Sequence, residues 1–278
     1  MIGRFLYQLS ILLLIAGVHI AALFHPKSAK WVKGRRNWRK RLKDELDTKR
    51  KSDRPTVWMH ASSLGEYEQG RPILEGLQAD HPGLNIILSF FSPSGYEVAR
   101  YHDLATIVCY LPADTPQAAR DMVTIIKPDL VLWMKYEYWY NHLKAIDEQR
   151  IPVLLVSAIF QSRQPFFKWY GGWYRQMLGY FTHLFVQDNW SVELVKRYVD
   201  TDRITQNGDT RFDRVLGIAN SWQRIPELET WLAGAEQVAV AGSTWPDDDK
   251  VLRHLVNTRG STRWIIAPHH TEKGPIEA

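Results

Sequence analysis

Residues 56–72 read "TVWMHASSLGEYEQGRP". Apolar, β-branched and aromatic residues run to His60, small polar residues follow, and a helical pattern begins near Glu66. The stretch therefore predicts a strand over 56–60, a loop, and a helix over 66–79. Two readings of the loop are open at this point. Ser63 and Glu66 have the Ser-x-x-Glu spacing of a capping box, in which each side chain satisfies a backbone N–H of the other. Alternatively the loop is part of an active site and Glu66 is its reactive carboxylate.

The same rhythm repeats downstream. "NIILSF" (85–90), "TIVCYL" (106–111), "LVLWM" (130–134), "VLLVSA" (153–158) and "HLFVQ" (183–187) read as strands. Most are apolar throughout, as strands covered on both faces of a parallel sheet are. Helix-length segments lie between them at 94–102, 115–127, 137–149, 166–179 and 189–199. Repeated β-α units of this size predict a doubly wound, Rossmann-like lobe over 55–205. Residues 206–226 have weaker periodicity and read as a linker with a connecting helix. A second α/β rhythm starts at 227–278, with "QVAVAG" (237–242), a helix over 246–257 and "RWIIAP" (263–268).

Composition fits an ordinary globular chain of 278 residues, 45% hydrophobic and 23% charged. The single Cys109 lies in an apolar strand-like run and excludes an intrachain disulfide or a multi-cysteine zinc site within this sequence. The formal charge of +5 is local: residues 27–51 hold twelve Lys or Arg against three acids, and the remainder is slightly acidic. Ahead of that basic stretch, residues 5–24, "FLYQLSILLLIAGVHIAALF", are long enough to cross a bilayer at about 1.5 Å rise per residue. Gln8, Ser10 and His19 also suit a helix lying in the interface. Residues 1–26 are thus expected to anchor the chain, with 27–54 as a basic membrane-proximal segment holding anionic head groups. The positive flank after the apolar run predicts a cytoplasmic body. A basic segment suits nucleic acid too, but the apolar run points to membrane lipid, and no nucleic-acid partner is expected.

Ligands of open α/β sheets bind beyond the carboxyl ends of the strands. That rule selects Ser62, Ser63, Gly65 and Glu66 after the first strand, Ser94 and Gly95 after the second, and Glu137 after "LVLWMK". Two carboxylates at neighbouring strand ends suit acid–base work. In the second lobe the rule selects Ser243, Thr244 and Trp245 after "VAVAG", where small Gly242 and Ser243 can cradle an anion with backbone N–H groups, and His269 with His270 after "WIIAP". No phosphate-binding G-x-x-x-x-G-K-S/T or G-x-G-x-x-G pattern is present, which argues against ATPase and dehydrogenase chemistry. Adjacent His269 and His270 would diverge on a strand end, so no metal site is expected.

Eight collinear pieces carry a resemblance: "WMHASSLGEYEQGRPILEGL", "FFSPSGYEVAR", "KPDLVLWMKYEYWYNHL", "IPVLLVSAIFQSRQPFFKWYGGWYRQML", "LFVQDNWSVELV", "NGDTRFDRV", "VAVAGSTWPDD" and "IIAPHH". Together they resemble the 3-deoxy-D-manno-octulosonic acid (Kdo) transferase family of lipid A glycosyltransferases, in wording closest to forms from the Bacteroides branch. The resemblance implies an α/β GT-B fold of two Rossmann-like lobes with an N-terminal membrane anchor, at the cytoplasmic face of the inner membrane. It implies inverting transfer of Kdo from CMP-Kdo to a lipid A precursor, without a cofactor. On this resemblance Glu66 is the catalytic base, and Glu137 and Arg211 stabilise the transition state, Arg211 standing where the family often has Lys. Ser243, Thr244, Pro268 and His269 match donor-side positions, with His269 in place of a typical Arg and Trp245 where His is frequent. The family pattern runs on beyond residue 278, so the second lobe is expected to be incomplete. The rival expectations are another nucleotide-sugar enzyme of the same fold, such as an epimerase, and a non-catalytic membrane-bound module.

Overall fold

A computed structural model describes residues 2–101 and 103–269. His270 and the predicted readings beyond it lie outside the described residues. The chain divides into two compact units, Met1–Ala219 and Asn220–Ala278.

Three helices open the first unit: α1 (Ile2–Ala21), α2 (Pro26–Arg35) and α3 (Trp38–Lys49). Alternating strands and helices follow: β1 (Thr56–Ala61), α4 (Leu64–Asp80), β2 (Asn85–Phe90), α5 (Pro93–Ala99), β3 (Ile107–Tyr110), α6 (Pro116–Ile126), β4 (Leu130–Met134) and α7 (Tyr140–Glu148). Then come β5 (Val153–Ala158), α8 (Gly172–Gly179), β6 (His183–Val186), α9 (Asn189–Val195), β7 (Ile204–Gln206) and α10 (Arg211–Asn220). The seven strands form one parallel sheet in the order β3-β2-β1-β4-β5-β6-β7. Order reverses between β1 and β4, so a crevice opens at their carboxyl ends.

Every residue of β1 and β2 is buried, which explains the unbroken apolar runs. On one face Met59, Leu88 and Leu132 pack with Tyr67 and Leu74 of α4. On the other, Trp58, Ile87 and Trp133 pack with Leu42 of α3, Met122 of α6, Leu143 of α7 and Leu178 of α8. Gly70 lets α4 approach closely: a Cβ there would lie 2.8 Å from the sulfur of Met59. Cys109 packs against the core, and burial pushes its thiol up to about 12, which suits packing and not nucleophilic work.

Several boundaries differ from the sequence reading, each for a local reason. The helix expected over 137–149 starts at Tyr140, because Lys135 takes positive φ and the indole N–H of Trp133 donates to the Glu137 carbonyl. The helix expected over 166–179 starts at Gly172, after a short 3-10 turn at Pro165–Phe167. The basic segment forms the helices α2 and α3, which bury Trp31, Leu42 and Leu46.

The second unit contains α11 (Pro226–Leu232), β8 (Gln237–Thr244), α12 (Pro246–Thr258) and β9 (Thr262–Pro268). β8 and β9 pair in parallel around α12, one β-α-β unit.

Candidate active site at the sheet reversal

The reversal of strand order brings together the loops after β1 and β4. Glu66 sits in the first turn of α4, and its carboxylate accepts backbone N–H bonds from Ser62 and Ser63. The Ser63 hydroxyl makes no cap bond. The reciprocal capping box suggested by the spacing is therefore absent, and only its carboxylate half forms. Two backbone donors at a helix start normally hold a carboxyl low. Here burial wins, helped by the charge of Glu137, and the Glu66 carboxyl is pushed up to about 7. Burial also raises Glu137, while the Ser62 side chain bonded to it pulls the other way.

Behind the pair lies a buried polar stack. Trp58 Nε1 donates to Ser89 Oγ at 2.8 Å, and His60 Nδ1 meets the same oxygen at 3.0 Å. His60 Nε2 faces the Ser62 hydroxyl at 3.4 Å. Burial, with His142 next, depresses the His60 imidazole to about 3, so it is neutral at physiological pH.

Three further charges lie nearby: Lys135, whose charge acts on Glu66, and Arg211 and Asp209, whose charges act on Lys135. Lys135 is only 9% exposed, and burial followed by the charge of Arg211 lowers its ammonium, while Asp209 and Glu66 oppose the shift. Arg211 opens α10 and pairs with Asp209 at 2.5 Å. Burial alone would raise Asp209, but the bonds and charge of Arg211, with Lys135, hold it below the usual carboxylate range. Two bonds fasten this segment to α4: Gln69 Nε2 donates to Asp209 Oδ1 at 3.0 Å, and Arg214 pairs with Glu68 at 2.7 Å.

The loop after β2 adjoins that after β1, since the Ser92 N–H donates to the Ser62 carbonyl at 2.7 Å. Ser92 caps α5 by accepting from the Ser94 N–H at 3.4 Å. Gly95 must be small there: a Cβ would collide with the Phe90 ring and come within 3.2 Å of the Leu64 nitrogen. Gly65 is exposed and a side chain would meet nothing. Thus Ser62, Ser63, Gly65, Glu66, Ser94, Gly95, Glu137 and Arg211 lie in one unit, on the loops and first helical turns after β1, β2 and β4 and at the start of α10. Sequence reading missed Lys135, Asp209, Gln69 and His60. Only Asp209 carried a signal, the "NGDTRF" stretch between predicted elements.

The residues expected on the donor side, Ser243, Thr244, Pro268 and His269, gather in the second unit. Ser243, at positive φ, faces His269 Nδ1 across 3.0 Å from its hydroxyl. The His269 N–H donates to the Thr244 carbonyl at 2.9 Å, and Trp245 stacks on the His269 ring at 4.4 Å. Pro268 ends β9 beside Thr244. The buried Thr244 hydroxyl has no hydrogen-bond partner among the described residues. Trp245 thus supplies a ring platform for His269.

An amphipathic groove of about 620 Å³ lies between α1, α2 and the β3–α6 loop, lined by Ile15, Val32 and Trp38 with Lys33, Arg36 and Arg39. An aromatic wall runs from it toward the crevice: Trp31 meets Phe91 at 5.7 Å, and Phe91 stacks on Trp139 at 4.7 Å. Arg35 braces the wall by donating to the carbonyls of Phe91 and Leu111.

A parallel, doubly wound α/β sheet followed by a second β-α-β unit is the architecture of a GT-B-like fold. Solved structures agree on the fold: UDP-GlcNAc 2-epimerase from Neisseria meningitidis bound to UDP-GlcNAc superposes with a TM-score of 0.56 at 14% identity, covering 80% of this chain and 67% of that one. A second UDP-N-acetylglucosamine 2-epimerase gives 0.55 at 16% identity, over 76% of this chain and 63% of its own. The sequence goes further. Residues 36–214 match the family described as 3-deoxy-D-manno-octulosonic-acid transferase (kdotransferase), and the chain belongs to that family. The 3-deoxy-D-manno-octulosonic acid transferases of Haemophilus influenzae and Chlamydia trachomatis serovar A are 25% and 23% identical over 80% of this chain, each matched over 53% of its own length. The chain therefore spans about half the length of these curated relatives.

Proposed function

We propose that this protein is a glycosyltransferase that moves Kdo from CMP-Kdo to a lipid A precursor in lipopolysaccharide synthesis, by inversion and without a cofactor. The observation that carries the reading is Glu66, a carboxylate held near neutrality at the sheet reversal of a Kdo transferase family member. An acceptor hydroxyl oxygen attacks the anomeric carbon of Kdo while the bond from that carbon to the CMP phosphate oxygen breaks. The hydroxyl proton passes to Glu66, and CMP leaves with the bonding pair. Arg211, steadied by Asp209, and Lys135 offset the phosphate charge as it develops, and Glu137 keeps Glu66 basic enough to accept the proton. Ser243, Thr244, Pro268 and His269 contact the nucleotide. The groove between α1 and α2 receives the acceptor, its cations facing phosphate and its apolar lining facing acyl chain.

The apolar α1 and basic α2 support attachment to inner-membrane lipids at the cytoplasmic face. An epimerase reading has the fold alone in its favour. Incubating the protein with radiolabelled CMP-Kdo and a tetra-acylated lipid A precursor tests the proposal. Label moving into the lipid fraction is the expected result. Release of Kdo without lipid labelling, or no turnover, would count against it.

A further inference from the structure

Helix α1 is long and apolar enough over Gly3–Ala21 to cross a bilayer, but its contacts tie it along the side of the first unit. Tyr7 Oη donates to the buried carboxylate of Asp114 at 2.5 Å and accepts the Tyr140 N–H at 3.2 Å. Gln8 Nε2 donates to Asn141 Oδ1 at 2.8 Å. Trp173 of α8 lies 5.2 Å from the Tyr7 ring, and a Cβ on Gly3 would sit 3.1 Å from it. Ile11 is buried, and Ile15 and His19 line the groove against α2. These positions recur at helical spacing and define one face.

The other face is apolar and uncovered. Phe5, Leu9, Leu12, Leu13, Ile20 and Phe24 are all exposed, Phe24 to 83%. Phe5, Leu9, Leu12, Leu13 and Ile20 form a stripe along the side of α1 opposite Tyr7 and Ile11, and Phe24 follows in the turn after the helix. The turn that leads into α8 presents Trp169, 94% exposed, and Tyr170. Because Trp173 of the same segment packs on Tyr7, this turn adjoins the start of α1. At the carboxyl end of α1, α2 and the residue after it expose Lys27, Lys33 and Arg36, none with an ion pair among the described residues.

We propose that α1 does not cross the membrane but lies in the plane of an anionic bilayer surface, with its outer stripe immersed and the Trp169–Tyr170 turn as a second contact. The occupant of this face is lipid because its rim is cationic and its exposed indole and phenol are the rings that settle at a head-group boundary. A spanning α1 would have to strip Tyr7 and Gln8 from Asp114 and Asn141, leaving buried polar groups short of partners. The inference rests on the membrane-bound reading given above.

The test uses the whole chain in a Cys109→Ser background with vesicles of equal parts phosphatidylcholine and phosphatidylglycerol. Nitroxide labels are placed singly by Phe5→Cys, Leu9→Cys, Leu13→Cys, Ile20→Cys and Trp169→Cys, and depth is read by power saturation. Similar shallow depths of about 5–10 Å at all five sites are expected. Depth that changes steadily along α1, by about 1.5 Å per residue, would overturn the in-plane geometry. A label at residue 169 in bulk water would overturn the second contact. Failure of the protein to sediment with vesicles at all would overturn the membrane reading itself, and the inference with it.

Discussion

Gln69, one turn beyond Glu66 on α4, donates to Asp209 Oδ1 at 3.0 Å across 140 residues of sequence. That bond, with the Arg214–Glu68 pair, sets the start of α10 against the helix that carries Glu66. Gln69 is 1% exposed, so its loss cannot be made good by water. Gln69→Leu should lower Kdo transfer about tenfold, the equivalent of ~1.4 kcal/mol, while the melting temperature moves by a few degrees at most. Gln69→Glu, which sets a carboxylate against Asp209, should cost more. Unchanged transfer in both variants would remove the Asp209–Arg211 unit from the mechanism.

The pH dependence of transfer follows from what surrounds Glu66. Only its ionised form accepts a proton, so kcat/KM should fall on the acid side of about pH 7. The charge of Glu137 raises this carboxyl and that of Lys135 lowers it. Glu137→Gln should therefore move the acid limb to lower pH, and Lys135→Met should move it higher. A pH profile of kcat/KM for the three proteins checks both directions at once.

Stability carries the same signature with a definite sign. The Glu66 carboxyl titrates higher in the folded protein than the ordinary 4.5. Its favourable contribution is thus complete below about pH 4.5 and is lost as pH rises through about 7. Glu66→Gln mimics the protonated form. Thermal melts should show the variant matching wild type at low pH and exceeding it by a few degrees above pH 7.

The strands were legible because burial on both faces demands unbroken apolar, β-branched runs, and "NIILSF" permits little else. The carboxylates at the strand ends were legible because the sheet rule names the loops before any contact is known. Helices α2 and α3 were hidden because their inward residues Trp31, Leu42 and Leu46 are scattered among twelve cations. The start of α7 was misjudged because Glu137 has the look of a first-turn acid, whereas Lys135 at φ 53° turns the chain away first. Lys135 had no motif and reaches Glu66 only through the crossing at β4, while Asp209, despite its "NGDTRF" setting, reaches α4 only through its bond from Gln69.

Removal of residues 1–25 should do more than detach an anchor. It takes away the Tyr7 bond to Asp114 and uncovers Tyr140 and Trp173, and each buried apolar side chain is worth about 1.5–3 kcal/mol. The shortened protein should melt several degrees lower. Its remaining vesicle binding, through the cations of α2 and α3, should fall steeply with added salt. Salt-independent binding would contradict the electrostatic role of that segment.

The central claim is that Glu66 takes the acceptor proton. The most direct measurement is the rate of Kdo transfer by Glu66→Gln against wild type at about pH 8, where Glu66 is ionised, with melting temperatures taken on the same preparations. The account predicts a loss on the order of 10² or more with an equal or higher melting temperature. Transfer within a few-fold of wild type, or a loss matched by a collapse in stability, would contradict it and leave Glu66 as a helix-start carboxylate.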